Sequence, residues 1–130
     1  MERIIRLLLI FLIAIFSFCS VQAETVTVKQ SVQVSLSDCV KTFPIGYEKL
    51  FYLTLAAANE FDYKIVEIQT RGGYIAFTTK NNKKFLATIV YVSSGKSMLK
   101  ITPYNGVYEF ALSVPQDIFK YIETYQTKSF

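Results

Sequence analysis

The side chains able to do chemistry are few in this 130-residue chain. Histidine is absent, which removes the commonest general base and the usual zinc and copper ligand. Of the two cysteines, Cys19 lies in an apolar N-terminal run and Cys39 stands alone downstream. That leaves no CxxC redox pair and no thiolate cluster. Cys39 reads as a buried small hydrophobe, with a reactive thiol or an intermolecular bridge as the alternative. The remaining route to hydrolysis is a carboxylate pair. Its candidates, Glu48, Glu60, Asp62, Glu67, Glu109, Asp117 and Glu123, are scattered along the chain, and helix ends and solvated faces account for each. No phosphate-cradling glycine loop, nucleophile elbow or calcium-loop spacing appears. The residue types therefore point to binding rather than turnover, with no catalytic residue, cofactor or metal expected.

The first residues address the question of where such binding takes place. Arg3 and Arg6 precede the uncharged run LLLIFLIAIFSF at 7–18, which ends in Ser20-Val21-Gln22-Ala23. A run of this length falls short of the ~20 residues that span a bilayer and matches the apolar region of a secretory signal. Cleavage is expected between Ala23 and Glu24. An uncut anchor is opposed by the shortness of the run and by Ser17. A lipoprotein signal centred on Cys19 is opposed by Phe18, where a small residue is required. The chain is thus read as exported, to the periplasm, cell envelope or medium of what composition suggests is a bacterium. Export excludes nucleic acid and cytosolic nucleotide cofactors as partners. Residues 24–130 then form one domain. Loss of Glu2, Arg3 and Arg6 lowers the formal charge from +4 to +3, too mild a value to select a partner.

The elements that position these side chains follow from periodicity. Residues 25–36, TVTVKQSVQVSL, alternate apolar and polar and predict a long strand with one wet side. Ser37-Asp38 suggests a short helical turn over 38–43. Pro44 marks the start of a helix reaching about Glu60, with Tyr47, Leu50, Phe51, Leu53, Leu55, Ala57, Ala58 and Phe61 forming a broad apolar surface. Strands are then expected near 63–70, 74–80, 85–93, 97–102 and 107–113, separated by turns rich in Gly and Asn. Pro115 opens a last helix over 115–126, with Ile118, Phe119, Ile122 and Tyr125 on its buried stripe. The fold class is α+β, a two-layer domain in the order β-α-β-β-β-β-β-α. An antiparallel meander and an N-terminal strand carry both helices on one face. This order resembles a cut-down helix-grip (START-like) layout, in which a sheet curls round a C-terminal helix over an apolar cavity. The chain departs from that layout in having fewer strands and a shorter final helix.

Strands 74–79 and 85–92 are apolar on both sides, whereas helices cover only one side of a two-layer sheet. Ile75, Phe77, Phe85, Leu86, Ile89, Val90, Tyr91 and Val92 are therefore the candidate interface or ligand face. They suit a second copy, an envelope protein or an apolar small molecule. Alternation of turns between the two ends of a meander places Lys80, Lys83 and Lys84 together with Asn105, and Arg71 with Lys96 at the opposite end. The three-lysine tip is a candidate contact for an anionic envelope surface, and Lys83 and Lys84 also serve as gatekeepers against aggregation. All nine tyrosines follow residue 46, and their polar tips suit rim packing or surface contact.

Overall fold

The computed structural model describes residues 32–128. The expected leader, the Ala23–Glu24 cleavage site and residues 25–31 of the alternating run lie outside the described residues. From Val32 onward the elements are β1 (Val32–Gln33), a 3-10 turn (Leu36–Cys39), β2 (Val40–Phe43), α1 (Tyr47–Glu60), β3 (Lys64–Gln69), β4 (Tyr74–Thr78), β5 (Lys84–Ser93), β6 (Lys96–Pro103), β7 (Glu109–Phe110) and α2 (Ser113–Tyr125). β2-β6-β5-β4-β3 form one antiparallel sheet, and β1 pairs with β7 in a separate ribbon. Both helices pack on one face of the five-stranded sheet. The α+β class and its antiparallel sheet are as expected from the sequence.

Three local expectations are corrected. The helical turn lies at Leu36–Cys39 instead of 38–43, because Val40–Phe43 pair with β6 from Val40↔Lys100 to Phe43↔Ser97. Phe43 is thereby buried with its ring 6.1 Å from that of Phe119, and this tertiary pairing outweighs the local cap signal. α1 begins at Tyr47 rather than Pro44. The buried hydroxyl of Ser97 donates to the Ile45 carbonyl at 2.7 Å, tying Pro44-Ile45 to β6 before the helix can start. The last strand shrinks from 107–113 to Glu109–Phe110 and leaves the main sheet. Gly106, with φ +76°, and the bond from Val107 N–H to Asn105 Oδ1 at 3.0 Å turn the chain away from the meander.

The buried layer lies between the sheet and the helices. Ile75 and Phe77 of β4, Phe85, Ala87 and Ile89 of β5, and Leu99 and Ile101 of β6 face Leu50, Leu53 and Ala57 of α1 and Ile118 and Ile122 of α2. Each large side chain so enclosed contributes about 1.5–3 kcal/mol. Rings fill this layer from one side to the other. Tyr63 stacks on Phe77 at 5.2 Å, Phe77 on Phe85 at 5.6 Å, and Phe85 meets Phe110 edge-on at 5.0 Å.

One glycine is required by the way the layers join. Gly73 has φ +69°, and a Cβ there would collide with the Tyr47 hydroxyl. Its carbonyl accepts from Ile89 N–H at 2.7 Å, and its N–H donates to the Gln69 carbonyl at 2.8 Å. The β3–β4 turn is thus clamped between β5 and the first residue of α1.

Candidate functional site

The strand registers divide the candidate face residues between the two sides of the sheet. Ile75, Phe77, Phe85 and Ile89 lie on the helix-covered side and are at most 4% exposed. Leu86 and Val90 point to the opposite side and are half-buried. Tyr91 and Val92, at the far end of β5, are 63% and 50% exposed. Period-two alternation produces this division, since neighbouring residues in a strand face opposite ways.

The side opposite the helices reads in rows across the sheet. Ala76, Leu86 and Thr102 are adjacent in one row. Tyr74, Thr88, Lys100 and Val40 follow in the next, and Val90, Met98 and Thr42 in the third. On this side Leu86, Val90 and Met98 are half-buried and Ala76 is fully buried, and the row of Tyr74, Thr88 and Lys100 runs between Leu86 and Val90. Among the described residues, no helix or strand lies over this side. Glu67, at the β3 edge, accepts from the Tyr74 hydroxyl at 3.1 Å and from Gln69 Nε2 at 3.3 Å. Met98 and the threonines were not singled out by sequence, because they become neighbours only through strand register.

Each lysine of the predicted basic tip has a partner within the fold. Lys80 lies 3.7 Å from the Asp62 carboxylate. Lys83 donates to the Glu109 carbonyl at 3.2 Å, and the Lys84 ammonium sits 3.9 Å above the Tyr104 ring. Tyr104 N–H also bonds the Lys84 carbonyl at 2.9 Å, which joins the two turns at this end.

At the opposite end, the start of α1 borders an open depression of about 920 Å³ lined by Gly46, Tyr47, Glu48, Lys49, Tyr52 and Ser94. A smaller hollow of about 270 Å³ adjoins it, lined by Tyr47, Glu48, Phe51, Tyr52 and Thr70. Nothing in the sequence signalled this depression, because its walls come from a helix start and two distant hairpin turns.

Few groups are arranged for chemistry. Cys39 is fully buried, and its Sγ–H points at the Ser35 carbonyl at 3.6 Å. Burial, with a smaller contribution from the Asp38 carboxylate, raises its pKa and holds the thiol in its unreactive form. Burial likewise raises the Tyr63 phenol, assisted by Asp117. Among the carboxylates, Glu123 pairs with Lys41, and Asp38 accepts from the Ser35 hydroxyl at 2.8 Å. Among the described residues, no three metal-capable side chains converge, and no helix is long and apolar enough to cross a membrane. No family model and no curated protein matches the chain.

Proposed function

We propose that this chain is a small exported binding module, non-enzymatic, which engages its partner through the sheet face opposite the helices. The observation that carries the reading is the set of half-buried aliphatic side chains Leu86, Val90 and Met98 on that face. No described element covers it, although the other face of the same strands is sealed by both helices. Half-buried aliphatic side chains on central strands are what an interface needs at its middle, and the neighbouring threonines and Lys100 supply polar contacts. The stacked rings in the helix-covered layer favour this surface over an internal ligand cavity, and the engaged carboxylates favour it over hydrolysis.

A photo-crosslinking amino acid placed at Val90 in the producing cell tests the reading, with the same group at Lys120 on the outside of α2 as control. Adducts are expected from position 90 and not from position 120. Equal adducts from both positions, or none from position 90, would sink it.

A further inference from the structure

The two ends of the sheet use their charges differently. At the end predicted to be a basic tip, the three lysines are spent on Asp62, the Glu109 carbonyl and the Tyr104 ring. At the other end, the start of α1, the turn at 70–73 and the β5–β6 hairpin meet. The Tyr47 hydroxyl reaches the Thr70 carbonyl at 3.4 Å, and a Cβ at Gly46 would stand 3.1 Å from the Ser94 carbonyl. Arg71 and Lys96 are exposed here, and neither has an ion-pair or hydrogen-bond partner among the described residues. Large side chains stand open beside them: Tyr91 is 63% exposed, Tyr52 51% and Val92 50%. A Cβ added at Gly95, in the turn of the hairpin, would meet nothing within 4 Å, so this turn is open to its surroundings.

We propose that this end is a docking surface for an anionic lipid bilayer. The occupant is argued from charge and from side-chain type. Two unpartnered cations complement headgroup phosphates, each contributing about fivefold in affinity near an anionic surface. Tyrosine rings suit the headgroup level, where one end of the ring is dry and the other wet. Val92, beside Tyr91 in β5, adds exposed aliphatic area. The acidic side chains nearest this end are Glu48, in the first turn of α1, where the helix dipole offsets its charge, and Glu67, which accepts from the Tyr74 hydroxyl and Gln69 Nε2. This docking is independent of the sheet-face reading and leaves that face free.

The test uses the chain as recovered from an exporting host, co-sedimented with vesicles of phosphatidylcholine alone or mixed with phosphatidylglycerol. Binding is expected to the anionic vesicles and to weaken with salt. Arg71→Ala with Lys96→Ala should reduce it about 25-fold, and Tyr91→Ser with Val92→Ser should reduce it severalfold. Lys80→Ala with Lys83→Ala, at the opposite end, should leave it unchanged. All these positions are at the surface, and circular dichroism checks that each variant is folded. Equal partition to both vesicle types overturns the proposal, as does an equal loss from the Lys80 and Lys83 pair. An increase in mass with concentration that the Tyr91 and Val92 variants abolish would make this end a self-contact, which also overturns it.

Discussion

Phe85 and Leu86 are neighbours in β5 that face opposite ways, so truncating each in turn measures how differently the two sides of the sheet are covered. Phe85 is 1% exposed, with the Phe77 ring 5.6 Å away on one side and the Phe110 ring 5.0 Å away on the other. Phe85→Ala removes a buried ring and leaves a cavity between two others, at a cost of about 3–5 kcal/mol, of which the two ring contacts make up about 1–3 kcal/mol. Leu86 is half-buried among Ala76, Thr102 and its strand neighbours. Leu86→Ala removes aliphatic carbon that is only partly dry, and about 1 kcal/mol is expected. Urea denaturation followed by far-ultraviolet circular dichroism separates the two. With a urea m-value of about 1–1.5 kcal/mol/M, Phe85→Ala lowers the midpoint by about 3 M and Leu86→Ala by less than about 1 M. Equal losses from the two variants would mean that the face carrying Leu86 is enclosed by the chain itself. The two-sided account, and with it the proposed binding face, would then fail.

Two further outcomes follow from the same contacts. Gly73→Ala forces a side chain onto a φ of +69° and against the Tyr47 hydroxyl, so a loss of about 2–3 kcal/mol is expected. Gly95→Ala, which meets open space, should stay within about 0.5 kcal/mol of the parent in the same denaturation assay. Burial raises the folded-state pKa of both Cys39 and Tyr63, so the folded protein holds these protons at pH values where the unfolded chain has released them. Stability is then fully present at neutral pH and falls as pH rises through the ordinary thiol range, about pH 8.5, and then the phenol range near pH 10. Urea midpoints measured from pH 7 to 10.5 should show this decline, and Cys39→Ala should remove its first part. A flat profile would contradict the burial of both groups.

Much of the fold was legible because it rests on local periodicity. The apolar spacing of Leu50, Phe51, Leu53 and Ala57 marks a helix whatever it packs against. The Gly-Gly, Asn-Asn and Ser-Gly turns between alternating runs mark hairpins for the same reason. β2 was misread because four residues, Val40–Phe43, are too few to show a period, and their partners lie at Ser97–Lys100. β7 was over-extended because Val107 and Tyr108 look like strand residues, although the Asn105-Gly106 turn has already diverted the chain. At the candidate site, sequence found that β4 and β5 carry more apolar side chains than one face can use. It did not find which of them share a face with Met98, Thr102 and Val40, because that depends on pairing with β6 and β2.

What the amino-acid order decided alone is whatever depends on residues within a turn or two of one another. That covers the strands, helices and hairpins, the missing histidine and paired cysteines, and the expectation of export. What the tertiary structure decided is every relation between distant residues. It sealed Phe85 beneath two helices and left Leu86 half-buried on the other face. It matched Lys80, Lys83 and Lys84 with Asp62, the Glu109 carbonyl and Tyr104, while Arg71 and Lys96 have no ion-pair partner among the described residues. The physical reason is that alternation states only that neighbours point opposite ways, whereas burial depends on what arrives from elsewhere in the chain.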